Sequence, residues 1–202
     1  QAGNITVANA VTWSSGSTLT LSAYGSIVVN ADITGGAGSS IVLHADNTGT
    51  GSGTVTFGSG ATLSAGSSIS LFYNPSSYAA PTDFSSRISS GSLTAYMLVN
   101  TVQDLQDMNT NLNGIYALGR DIDASATTGW NGGAGFAPIG STSNLFFGTL
   151  DGQNHVISGL FINRGSQTGV GLFSDIGSGG KVFNLGLVGG SVTGDAAVGS
   201  LA

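Results

Sequence analysis

Cysteine and glutamate are both absent from this chain of 202 residues, proline occurs three times, and lysine plus arginine total four. Without cysteine there are no disulfides, thiolate metal sites or cysteine nucleophiles. Four scattered cations against ten aspartates give a net charge of -6, with no basic run to meet nucleic acid or an anionic membrane surface. No apolar run approaches the ~20 residues that span a bilayer, so membrane insertion is not expected. The opening "QAGNITVANA" lacks the basic start and hydrophobic middle of a signal peptide. What is abundant is glycine, 34 residues, within a sequence that is 40% hydrophobic and able to build a core.

The hydrophobic residues repeat. "ITV" at Ile5, "IVV" at Ile27 and "VTF" at Val55 each open an alternating run, followed by the apolar positions Val11, Ile33 and Leu63. Next come Leu19 and Leu21, Ile41 and Leu43, then Ile69 and Leu71. In the Ile5 and Leu19 sets corresponding positions lie 22 residues apart in the first step and 28 in the second; the added residues fall largely in the loop-like "DNTGTGSG", Asp46 to Gly53. A unit of three short strands cannot bury its own apolar face, but a stack of units can. Period-two alternation makes this an all-β solenoid, with Ile5, Ile27 and Val55 in one ladder and Leu19, Ile41 and Ile69 in another. Thr20, Val28 and Ser70 should then face outward. A β-sandwich also has many short strands, but nothing in a sandwich requires them to recur in register.

Three regions follow: repeats over 1–74, a connector over 75–95 holding two of the prolines, and further repeats over 96–202 that continue beyond the fragment. One short helix is expected near 101–112. Asn100 or Thr101 caps it, Val102, Leu105, Met108 and Leu112 share a face, and Asn113-Gly114 ends it. Asp104 and Asp107 sit where the helix dipole favours carboxylates, which is capping chemistry, not a catalytic pair.

From Tyr116 onward, "GIYALGRDIDAS", "GFAPIG", "FFGTLDGQNHVISGLFINR", "VGLFSDIGSGGKVFNLGLVGGSVTG" and "VGSLA" resemble the GLUG motif. Upstream, "STLTLSAYGSIVVNADI" and "SIVLHADNTG" resemble the shaft of filamentous-haemagglutinin-like secreted adhesins. That resemblance implies a right-handed parallel β-helix exported by a Gram-negative bacterium, often by two-partner secretion, and held on the outer surface or released. The Asn-Pro-Asn signatures of that family's secretion domain are missing, which places this piece downstream of it, in the shaft. "VGLF" at Val170 and "VGSL" at Val198 mark the same point one 28-residue unit apart, and Gln1 stands close to a strand. The chain therefore reads as a fragment of a longer fibre without terminal caps.

Candidate sites are sparse. Within "LFFGTLDGQNHVISGLFINR", "FFGTL" and "HVISGLFI" read as two strands. Phe147, Leu150, Val156 or Ile157, Leu160 and Ile162 are their core candidates, and Asp151-Gly152 is the tight turn, Gly152 supplying positive φ and Asp151 accepting from the turn's amides. His155, like His44, has no recognisable partner acid, base or nucleophile and reads as structural. Asp121 and Asp123 of "RDID" are candidates for calcium; an Arg120 to Asp link or strand-end capping is the competing reading. Glycine strings such as "GSGG" lack the Gly-Lys-Ser/Thr of a phosphate loop. Trp13, Tyr24, Tyr73, Tyr78, Tyr96 and Trp130 could stack on sugars if they share an exposed face.

The sequence is thus read as a non-catalytic, cofactor-free shaft of a secreted or surface fibre in adhesion or biofilm cohesion. Surface glycans or proteins, and further repeats end to end, are its expected partners. The competing class is a parallel β-helix polysaccharide lyase or hydrolase, or a non-catalytic part of a surface peptidase. Few cations and no glutamate weigh against the enzymes.

Overall fold

The computed structural model describes residues 3–202, so Gln1 and Ala2 lie outside the described residues. The protein is all-β with parallel sheets and little helix, and it divides into two compact units, Gln1–Leu98 and Val99–Ala202.

In the first unit the strands are β1 (Ile5–Val7), β2 (Val11–Trp13), β3 (Thr18–Ser22), β4 (Ile27–Val29), β5 (Ile33–Gly35), β6 (Ser40–His44), β7 (Val55–Phe57), β8 (Leu63–Tyr73) and all but the last residue of β9 (Ile88–Val99). Each pairs in parallel with its counterpart in the next repeat. Ile5 sits opposite Ile27 and Ile27 opposite Val55. Val11 sits opposite Ile33, itself opposite Leu63, and Leu19 meets Ile41, then Ile69. The expected ladders therefore form in the expected register. Alternation decides which residues the ladders bury: Ile27, Ile33, Ile41, Leu43, Leu63, Ile69 and Leu71 are all fully buried, while Thr20 is exposed and Val28 and Ser70 are half-exposed between them. Each such Ile or Leu contributes about 1.5–3 kcal/mol by leaving water.

The connector is shorter than the sequence suggests. Irregular chain gives way at Ile88 to β9, which continues the ladder of β8 with Ile69 opposite Leu93 and Tyr73 opposite Met97. The Ser-Gly-rich "ISSGSLTAYMLV" carries too little apolar alternation at its start to announce a strand; β8 supplies the missing pairing partner.

The second unit opens with α1 (Val102–Asp107), followed by a single 3₁₀ turn over Met108–Thr110. Thr101 caps α1 in a capping box with Asp104. Leu105, Met108 and Leu112 are buried and Val102 is half-buried. The α-helix stops at Asp107, short of the expected Asn113-Gly114. Asn-Thr-Asn follows, poor helix formers whose side chains take up local groups: the Thr110 hydroxyl donates to the Asp107 carbonyl at 2.7 Å. A further 3₁₀ stretch spans Ser125–Gly133.

Its strands are β10 (Ile115–Leu118), β11 (Ile122–Asp123), β12 (Thr149–Asp151), β13 (Val156–Ser158), β14 (Phe161–Asn163), β15 (Lys181–Phe183), β16 (Gly186–Val188) and β17 (Ser191–Thr193). Three parallel sets result, β10-β12-β15, β11-β13-β16 and β14-β17. Val170 and Val198 form a parallel bridge, matching the 28-residue landmark. "HVISGLFI" is two strands, not one, broken at Gly159. Leu150, Ile157, Leu160 and Ile162 are buried as expected, whereas Phe147 is 47% exposed and Phe146 takes the interior position against Phe173. Adjacent phenylalanines alternate sides, and the sequence alone does not say which one turns inward. No helix among the described residues is long and apolar enough to cross a membrane.

Candidate functional site

Asp151 ends β12 and Gly152 leaves it. The chain turns not at Gly152 but at Gln153 and Asn154, which hold positive φ (51° and 64°). Asp151 accepts from the Gln153 amide at 3.0 Å, and its other oxygen accepts from the Gln153 side chain. It also accepts from Asn184 Nδ2 at 3.1 Å, one repeat further on. The expected positive φ at Gly152 is therefore corrected: glycine is needed there because a Cβ would lie 2.3 Å from the Asn184 carbonyl oxygen. Strands β12 and β13 are likewise not a hairpin; each pairs with strands of neighbouring repeats.

His155 has the partner that its sequence surroundings do not reveal. Its Nδ1 lies 3.0 Å from Asp121 Oδ1, which also accepts the Val156 amide at 3.0 Å. These two residues lie 34 apart in sequence, and only strand register brings them together. Asp121 takes His155 as its close partner, with Arg120 acting on it only as a nearby charge, and Asp123 adopts the capping alternative, accepting from Ser125 N at 2.9 Å. Asp121 and Asp123, the calcium candidates, thus turn to different partners. Among the described residues no three His, Cys, Asp or Glu side chains gather as a metal-binding group.

Similar contacts tie other repeats together. Asp32 accepts from the Thr62 amide and hydroxyl, 30 residues on, at 2.8 and 3.1 Å. Asp46 accepts from Asn74 Nδ2, 28 residues on, and Ser40 bonds Ser68 over the same interval. Gln106 makes both amide bonds to the Ala137 backbone, 31 residues on. Polar side chains thus fix one repeat against the next. Asp46 is the member that composition hid: it lies in the loop-like "DNTGTGSG" yet is fully buried.

The aromatics do not share one face. Tyr73 and Tyr78 are buried, Trp13 donates its Nε1 to the Ser17 carbonyl, and His44 packs on Phe72, which stacks on Tyr96. Burial raises the Tyr73 phenol above its usual value.

Hydrogen bonds from backbone amides hold three carboxylates below their ordinary range: Val156 N for Asp121, Ser125 N for Asp123 and Ser85 N for Asp83. A carboxylate with a lowered folded pKa adds stability that is complete above its unfolded value and is lost as pH falls through the folded one. Melting temperature should therefore hold on the neutral side and decline once pH drops below about 4. An Asp121→Asn, Asp123→Asn double variant should show a shallower decline. Parallel acid curves for variant and parent would refute the assignment.

Comparison with known proteins finds likeness to small parts of large ones. The chain is 44% identical over 109 residues to Halomucin of Haloquadratum walsbyi, covering 52% of this chain and 1% of that protein. It is 39% identical over 98 residues to a protein of Evansella cellulosilytica named as a Gly-rich membrane protein, covering 48% of this chain and 11% of that one. No family model and no solved structure matches.

Proposed function

We propose that this chain is a non-catalytic shaft segment of a cell-surface or secreted fibre, a right-handed β-solenoid acting in adhesion or cohesion as a rigid spacer. The observation that carries the reading is the parallel pairing of β1, β4 and β7, and of β3, β6 and β8, at matching positions one repeat apart. Parallel strands joined by crossovers are right-handed in about 98% of cases, which supports the hand. The inter-repeat polar ties fit a part selected for stiffness. Likeness to a stretch of Halomucin and to one of a protein named as a Gly-rich membrane protein supports a surface location. The GLUG-like motifs extend the reading to export from a Gram-negative cell, with further repeats stacking on β15, β16 and β17.

A solenoid accepts an extra turn; a closed globular domain does not. Inserting a second copy of residues 27–54 after Thr54 should give a chain that still melts cooperatively, at or above the parent temperature, and is longer by about 4.8 Å by small-angle scattering. Loss of cooperative unfolding in the duplicated chain would refute the solenoid. Turnover of a polysaccharide by the parent chain would refute the non-catalytic role.

A further inference from the structure

Two hollows in the second unit share Ala137, one of about 430 Å³ beside Trp130 and one of about 440 Å³ beside Arg164. Each is within the range of small-molecule pockets. The shared segment is held by side chains: Gln106 bonds Ala137 in both directions, and Asn109 donates to the Pro138 carbonyl and accepts from Gly140 N at 2.8 Å.

Trp130 is presented deliberately by the backbone. The 3₁₀ stretch breaks at Trp130 (ψ 152°), and Asn131, Gly132 and Gly133 all take positive φ, turning the chain away so that the indole is left half-exposed over the hollow. The run "GWNGG" is what allows three such residues in succession. One side of the ring rests near Phe136, centroids 6.4 Å apart. Trp13 uses its N–H on its own chain, but none of the described residues accepts the Trp130 N–H. Arg164 is anchored in the neighbouring hollow, its Nε donating to the Phe136 carbonyl at 3.3 Å and its Nη1 to Gln167 Oε1 at 3.4 Å. Its Nη2 has no acceptor among the described residues. The remaining lining is largely hydroxyls and amides, and no carboxylate lines either hollow, although the chain carries ten.

We infer that this pair of hollows binds an acidic saccharide, with one ring face on the Trp130 indole and a carboxylate at Arg164. A ring with an apolar face and a polar rim suits a half-exposed indole flanked by amides. Arginine in a hollow that no carboxylate lines suits an anionic substituent. The inference rests on the surface-fibre reading, turning this part of the spacer into a glycan-contacting segment.

Trp130 also reports on its own site. In a Trp13→Phe variant it is the sole indole, so its fluorescence can be followed during titration with trigalacturonate and with the carboxyl-reduced trisaccharide. Trigalacturonate should give a saturable emission change and the reduced sugar a much weaker one. Arg164→Gln should weaken trigalacturonate binding about tenfold and leave the reduced sugar unchanged. Trp130→Ala should abolish binding by calorimetry while keeping the parent melting temperature. Equal affinity for the two sugars, an Arg164→Gln variant that binds as well as the parent, or no binding up to millimolar concentration would each overturn the inference. The duplicated-repeat chain tests the solenoid separately, since it does not depend on any sugar.

Discussion

Replacing Gly152 with valine should lower stability by about 3 kcal/mol or more, at the upper end of what overpacking costs. The added Cβ would stand 2.3 Å from the Asn184 carbonyl oxygen, 2.7 Å from its carbon and 2.6 Å from Leu185 Cα. None of these can swing aside. The Gly152 amide donates to the Phe183 carbonyl at 2.8 Å, and the same Asn184 oxygen accepts from Asn154 N at 2.9 Å. Relief therefore requires parting β12 from β15 along Leu150–Val182 and Asp151–Phe183, a pairing that covers buried Leu150. His155→Ala should change little, because Asp121 keeps its bond to Val156 N. Thermal melts of both variants decide the matter. A Gly152→Val protein as stable as the parent, or a His155→Ala protein that is the worse of the two, would show that the repeat interface is not close-packed here.

The contrast between those two positions shows how far the sequence could be read. Period-two alternation at Ile27, Ile41 and Leu71 fixes which side chains enter the core, and the recurrence of the pattern fixes which strands pair. Both are local properties multiplied by a repeat, so the ladders were legible. The polar ties were not, because each depends on the offset between repeats, which drifts with loop length. Ile5 to Ile27 is 22 residues, Ile27 to Val55 is 28, and Ile122 to Ile157 is 35. A shift of a single residue would take His155 away from Asp121, and no motif records the shift. The same drift hides the role of Gly152: Asp-Gly resembles a tight turn locally, while the strand that crowds it lies about thirty residues downstream. Trp130 had a signal in "GWNGG", but a glycine-flanked tryptophan has meaning only once the hollow beside it is seen.

Asp46→Ala should cost about 3 kcal/mol or more, because several donors lose their acceptor at once and each orphaned buried donor costs roughly 1–3 kcal/mol. Asp46 is 0% exposed. One oxygen accepts from Thr50 N at 2.8 Å and the Thr50 hydroxyl at 2.7 Å. The other accepts from Gly51 N and Asn74 Nδ2, both at 2.8 Å. Four neutral donors around one carboxylate replace the water that it gave up, so the charge is solvated inside the protein. The residue also holds positive φ (50°), which aspartate tolerates better than most side chains. Asn74 spends its amide on both Asp46 and the Gly53 carbonyl, so the loop and the chain leaving β8 are tied to one group. Asparagine at position 46 should be intermediate, since it keeps one acceptor oxygen and points a new donor at existing donors. The expected order of melting temperatures is parent, then Asp46→Asn, then Asp46→Ala, the last lower by roughly 6–12 °C for a chain of this size. An Asp46→Ala protein that melts with the parent would mean that water can replace the carboxylate, and that the loop is the solvated insertion its composition resembles.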